Sequence, residues 1–317
     1  MNTEEANPTS SSYGLLAEEG TVNQARLNAG LMRDNASNGQ LLPDGLAQQD
    51  GPYLWSAQFF ELVVCLVYAL VAFVALFWVD NNVGPNERPI PFQFLEGSGE
   101  YVRNLMFNES FEHETVSYLA LCLLGLWIPL AIQSLLCLCG ERRKNDLHAT
   151  VCTYLVAMTT NTIATNSVKL YVGYLRPIFY DLCQPDDEYQ TCTVDTGNDI
   201  RKSFPSGHAS MAFCGLTLLT LFIHARFGVA SQRYYQRIGG GAIGSNTGEE
   251  SQWIRETIQV GVGWARFASL LALAPMGLAL FIAASRVVDN KHFPADVVAG
   301  SVLGASISNY VHGLWFD

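Results

Sequence analysis

The chain has 317 residues, 49% hydrophobic and only 15% charged, with a net charge of −11. The acidic balance excludes nucleic acid as a partner, and the low charge density favours a membrane protein. Mean hydropathy stays modest because the first fifty residues are polar.

Residues 1–52 are rich in Asn, Ser, Gly, Gln and Glu, and Tyr13 is their only aromatic before Tyr53's neighbourhood begins at Pro52. Such a segment buries too little apolar surface to offset its ordering entropy, so it is expected to be a disordered cytosolic tail. It lacks a basic start followed by an apolar stretch, so it is not read as a secretory signal; the first apolar span then serves as an uncleaved insertion signal.

A bilayer core needs roughly 20 apolar residues per helix. Six runs meet or approach that length, at about 56–79, 116–139, 148–172, 208–225, 264–285 and 294–314. The expected fold is therefore all-α, a polytopic bundle of six transmembrane helices over residues 53–317. Glu61 lies in the first turns of span 1, either at the boundary or facing the bundle. Span 2 has no charge from Val116 to Gly140. Span 3 carries Thr159, Thr160, Asn161, Thr162, Thr165 and Asn166, which would be costly against lipid, so it is expected inside the bundle.

The basic loops set orientation. Glu141-Arg142-Arg143-Lys144 follows span 2, and Arg226, Arg233, Arg237 and Arg255 follow span 4. Both loops, and with them the N-terminus, should be cytosolic. The loops after spans 1, 3 and 5 then face the lumen or the cell exterior. Asn108-Glu109-Ser110 is a glycosylation sequon on that side. Cys183 and Cys192 are the only cysteines outside the spans and share the loop after span 3, where an oxidising compartment permits a disulfide. The other six, at 65, 122, 137, 139, 152 and 214, read as packing residues.

Three blocks carry chemistry, and all border the non-cytosolic loops. Lys169 and Arg176 are seven residues apart, close to one helical face at ~100° per residue, with Pro177 limiting continuation. Pro205-Ser206-Gly207-His208 precedes span 4. Ser206 suits an N-cap, Gly207 admits close backbone approach, and a helix start favours a phosphoryl oxygen. Ser285-Arg286 ends span 5, and His292 and Asp296 follow at i and i+4. If span 6 starts near His292, the carboxylate can hold one ring nitrogen and leave the other nucleophilic. Each block alone has a plainer reading: snorkelling cations, an ordinary cap, a structural His–Asp pair. Together they supply complementary roles on one side of the membrane.

These blocks match Lys-x6-Arg-Pro, Pro-Ser-Gly-His and Ser-Arg-x5-His-x3-Asp at every position. The chain from about 56 to 314 thereby resembles the type 2 phosphatidic acid phosphatase superfamily, with its haloperoxidase-like helical bundle, and especially its lipid phosphate phosphatases. The resemblance implies that His292 attacks phosphorus and Asp296 orients it. It implies that His208 protonates the leaving alkoxide, while Lys169, Arg176, Arg286, Ser206 and the Gly207 N–H hold phosphate oxygens. No carboxylate cluster or His/Cys set near the blocks points to a metal, so turnover without metal or cofactor is expected. The implied partners are the bilayer and a lipid phosphate: phosphatidate, lysophosphatidate, a sphingoid-base phosphate or diacylglycerol pyrophosphate. Competing readings are a polyprenyl-diphosphate or sugar-phosphate phosphatase, a lipid phosphotransferase, an inactive scaffold and a transporter. A homo-oligomer is compatible with the chain, and no feature marks it. Plasma membrane, endoplasmic reticulum and Golgi are not distinguished.

Overall fold

The computed structural model describes residues 52–97, 99–110, 113–138, 143–194, 197–227, 263, 266–267 and 269–316. The tail expectation, the Gly239-Gly240-Gly241 stretch and most of the basic residues that set orientation lie outside them. The chain divides into Met1–Gln58 and Phe59–Asp317, and the contacts and the site described below lie in the second unit.

In chain order the elements are α1 (Pro52–Asn82), β1 (Phe92–Leu95), β2 (Glu100–Arg103), α2 (Tyr118–Leu138), α3 (Arg143–Val172), α4 (Phe179–Cys183), α5 (Gly207–Phe227), α6 (Ala274–Val288) and α7 (Pro294–Phe316). The fold is largely helical, not all-α as the hydropathy suggests. β1 and β2 form an antiparallel hairpin with Phe92 opposite Arg103. Gly99 turns the chain at φ 73°, and the Tyr101 ring meets Phe92 edge-on at 5.1 Å. Cross-strand aromatic pairs stabilise such ribbons. A search for 20-residue apolar runs passes over strands of four.

The six-span expectation is met in part. Four helices among the described residues are long and apolar enough to cross a bilayer: Ser56–Asn82, Tyr118–Leu138, Gly207–Ala225 and Ser269–Val288. This is a multi-pass membrane protein. α3 and α7 stand where spans 3 and 6 were expected, but they fall short in hydropathy. α3 carries the Thr/Asn row, and α7 is rich in Gly, Ala and Ser. Helices that meet protein more than lipid pack through small and polar residues.

α5 is the axis of the bundle. Of its span 56% is buried, against 11% for α1, which leaves α1 at the periphery. Gly300, Gly304 and Ser308 of α7 form one row against α5. A Cβ on Gly300 would run into the Ser206 carbonyl, and one on Gly304 into the Ser210 carbonyl. The Ser308 hydroxyl donates to the Cys214 carbonyl. Leu121, Ala212, Leu216, Ile282 and Val297 fill the core where α2, α5, α6 and α7 meet.

The polar row of α3 turns inward. Asn161 Nδ2 donates to Ser210 Oγ at 3.2 Å, and Thr165 Oγ1 shares a hydrogen bond with it at 3.0 Å. At the opposite end of the bundle Glu61 is bundle-facing. It meets His148 Nε2 at 2.9 Å and accepts from Trp315 Nε1 at 2.6 Å, tying α1 to α3 and α7. Beyond the end of α3, Cys183 and Cys192 form a disulfide, and Phe179, Tyr180, Leu175 and Ile200 pack beside it. Asn108 is exposed and accepts from Arg103 Nη1 at 3.3 Å.

Candidate functional site

The three sequence blocks converge on one cavity of about 350 Å3, lined by Lys169, Arg176, Gly207, His208, Arg286 and His292. Their routes into it differ from expectation in three places. α3 stops at Val172, so Arg176 does not share its face with Lys169. Gly173 takes φ 57°, and a Cβ there would collide with the Asn86 carbonyl. The chain turns, and Arg176 arrives from the loop, its N–H bonded to the Ile200 carbonyl at 3.1 Å.

Ser206 is the second. It caps α5, its Oγ accepting from the Ala209 N–H at 3.4 Å. It is fully buried and stands outside the cavity lining, with its own N–H on the Asp296 carbonyl at 2.9 Å. Gly207 lies beside a cation: a Cβ there would stand in van der Waals contact with Lys169 Nζ, at 3.5 Å.

Both arginine forks are pre-oriented by carboxylates. Arg176 Nη2 meets Asp199 at 3.0 Å, its Nε donates to the Asp199 carbonyl at 2.9 Å, and its Nη1 to the Lys291 carbonyl at 3.3 Å. Arg286 is 1% exposed. It donates to Ser285 Oγ at 3.1 and 3.2 Å, to Glu114 at 3.0 Å and to Asp289 at 2.6 Å. Thr115 holds the same Asp289 carboxylate through its N–H and hydroxyl. Hydrogen bonds between charged groups fix geometry as well as energy.

The histidines occupy different surroundings. His208 Nε2 is buried and has no hydrogen-bond partner among the described residues; the ring faces Tyr118 edge-on at 6.4 Å. His292 precedes α7 instead of lying on it. Its Nδ1 stands 3.6 Å from Asp296 Oδ2, beyond a hydrogen bond. Ser203 Oγ fills the interval, 3.4 Å from Nδ1 and donating to Oδ2 at 2.6 Å. The Phe293 N–H also donates to Oδ2, at 3.0 Å. Asp296 thus reaches the imidazole through Ser203, which leaves Nε2 as the ring nitrogen for the cavity.

Burial lowers the pKa of His292. The neighbouring Asp296 carboxylate opposes this, and the nearby Arg176 and Lys169 charges lower it further. The imidazole is therefore neutral and nucleophilic at neutral pH. Burial also lowers Lys291, against the attraction of Glu114. Asp199 is pushed up by burial, but Arg176 and Lys169 hold it below the usual carboxylate value.

Besides Asp296, the carboxylates of Glu114, Asp199 and Asp289 stand around the site. Their contacts are to arginine, Ser203 and backbone N–H groups. Among the described residues no group of three or more His, Cys, Asp or Glu could hold a metal ion. Sequence reasoning also missed Ser203, although it lies only three residues before Ser206. Asp289 had a signal, at i+3 from Arg286. Glu114 had none, being 172 residues away.

The fold and this cavity define a class: a multi-pass helical membrane protein with a cationic, two-histidine site at one end of its bundle. Residues 150–317 match the model of the PAP2 superfamily, and the chain belongs to that superfamily. A PA-phosphatase related-family protein of Dictyostelium discoideum is 26% identical over 56% of this chain and 52% of its own length. Lipid phosphate phosphatase 2 of Arabidopsis thaliana is 25% identical over 65% of this chain and 63% of its own length. Lipid phosphate phosphatase 1 of the same plant is 26% identical over 53% and 45%. The chain spans about half the length of the curated relatives it matches. No solved structure matches it.

Proposed function

We propose that this protein is an integral-membrane lipid phosphate phosphatase acting on phosphomonoesters such as phosphatidate, lysophosphatidate or sphingoid-base phosphates. One observation carries the reading. Two histidines and three cations from separate parts of the chain line a single cavity, and one histidine has a buried nitrogen with no partner among the described residues.

The chemistry follows from those positions. His292 Nε2 attacks phosphorus, a P–N bond forms, and the P–O bond to the lipid alkoxide breaks. Protonated His208 gives its proton to that alkoxide, releasing the lipid alcohol. Water then attacks phosphorus, His208 takes its proton, and the P–N bond breaks to give inorganic phosphate and neutral His292. Proton transfers of this sort are worth ~10²–10⁴-fold. Lys169, Arg176 and Arg286, with the Gly207 N–H, meet the charge on the non-bridging oxygens. Asp296 stabilises the imidazolium through Ser203. No step calls for a metal.

The same reading makes α3 and α7 membrane-crossing, for six spans over residues 53–317, with residues 1–52 as a cytosolic tail. It puts the site and the Asn108 sequon on the lumenal or extracellular side of the plasma membrane, endoplasmic reticulum or Golgi.

The test is phosphate release from phosphatidate in mixed micelles with excess EDTA, wild type against His292→Ala. Release that the variant loses supports the reading. Absence of release from folded wild type on phosphatidate, lysophosphatidate and sphingoid phosphates refutes it.

A further inference from the structure

A second cavity adjoins the first. It has a volume of about 520 Å3 and is walled by Phe73, Leu76, Phe77, Val79 and Leu170, from the last turns of α1 and the end of α3. Tyr118, Thr162 and Asn166 line both cavities. The two spaces therefore meet at the start of α2, where the Tyr118 ring faces His208. The outer wall opens sideways: Phe73 is 69% and Phe77 66% exposed on a helix that crosses the bilayer. At the polar end an ion pair between Asp80 and Lys202 closes the groove.

A polar catalytic pocket thus leads past one aromatic residue into an apolar groove facing the hydrocarbon. We propose that this groove holds an acyl chain of the phosphorylated lipid, with Tyr118 at the junction between headgroup and chain. The inference rests on the proposed function and deepens it, since it says how the site selects a lipid over a soluble phosphate ester. The phosphate lies among Lys169, Arg176 and Arg286. The glycerol or sphingoid backbone passes Tyr118, Thr162 and Asn166, whose hydroxyl and amide groups suit its oxygens. The chain then runs along α1. From Phe73 to Asp80 the helix rises ~10 Å, so only the segment of chain nearest the headgroup is gripped. Moving methylene groups from water into an apolar site is favourable. Lipid already supplies most of that gain, so the groove contributes position more than affinity. A held chain keeps the phosphoester in line with His292.

The experiment compares two substrates, long-chain phosphatidate in micelles and glycerol 3-phosphate in solution, with EDTA present. Leu76→Trp and Val79→Trp fill the groove from α1 without touching the catalytic cavity. The expected result is a drop in kcat/KM of tenfold or more for phosphatidate and less than twofold for glycerol 3-phosphate. Equal losses on both substrates, or no loss on either, overturn the proposal. A second measurement does not depend on turnover. Phosphatidate with a diazirine near the glycerol end of one chain is photolysed on full-length His292→Ala. Labelled peptides should cover residues 73–79 or Leu170, and labelling confined to other helices overturns the proposal. Failure of wild type to release phosphate from either substrate refutes the phosphatase reading alone, and the labelling then decides the groove.

Discussion

Ser203→Ala removes one oxygen atom and tests how Asp296 reaches His292. The hydroxyl donates to a buried carboxylate at 2.6 Å and stands 3.4 Å from the imidazole, while the direct carboxylate–imidazole distance is 3.6 Å. A hydrogen bond to a charged group is worth about 1.5–3 kcal/mol. If that bond acts mainly when the imidazole becomes positive, its loss lowers kcat by about 10–100-fold. KM should stay near wild type, because Ser203 does not line the cavity. Ser203→Thr, which keeps the hydroxyl, should recover much of the rate. The pH axis adds a readout that a packing defect would not move. A histidine ordinarily titrates near 6.5, and burial holds His292 lower. The neutral nucleophile therefore persists below pH 6.5, and the acid limb of kcat/KM should lie there. For stability the sign is the same. The unfolded chain takes up the proton first, so this contribution is present above pH 6.5 and is lost as pH falls through the folded value. Without Ser203 the Asp296 oxygen turns to the imidazolium, and the acid limb moves to higher pH. Steady-state phosphate release between pH 4 and 8 (~4 units, bracketing the ordinary histidine value) measures all three quantities. A wild-type kcat, or an acid limb that moves down, refutes the relay.

Two further outcomes follow from the packing. Arg286→Lys keeps the charge but loses the fork that spans Ser285, Glu114 and Asp289. A loss of ~100-fold or more in kcat/KM is expected, about 2.7 kcal/mol, with a lower thermal midpoint as buried Asp289 loses its 2.6 Å partner. Kinetics close to wild type would show that a point charge suffices. Gly300→Ala should destabilise by about 1–3 kcal/mol, since the new methyl has only the Ser206 backbone to push against. Gly277→Ala on α6 meets nothing within 4 Å among the described residues and serves as the control. Equal unfolding midpoints for the two variants would count against the close α5–α7 contact.

What the sequence revealed and what it hid divide along the range of the interactions. The helices at spans 3 and 6 and the inward turn of Asn161 and Thr165 were legible because they depend on local apolar and polar pattern. So was the Ser206 cap, which needs only its own first turn. The convergence of Lys169, His208 and His292 was legible only as motif blocks on one side of the membrane. The direct Asp296–His292 contact failed because α7 begins at Pro294, two residues too late to put both on one face. Arg176 left the α3 face because the helix ends at Val172 and Gly173 turns the chain at φ 57°. Glu114 and Asp199 were invisible, since their pairing with arginine is made by the folded chain and not by spacing.

The Glu61 knot has a consequence for the order of assembly. His148 follows Glu61 by 87 residues and Trp315 by 254. At ~5–20 residues per second the second partner emerges from the ribosome on the order of tens of seconds after the carboxylate. The helix that is inserted early is thus fastened late, and until then α1 stands in the membrane with an acidic group awaiting its indole. Whatever shelters that carboxylate in the interval, translocon or headgroup layer, is as much a part of making this protein as any contact in the finished bundle.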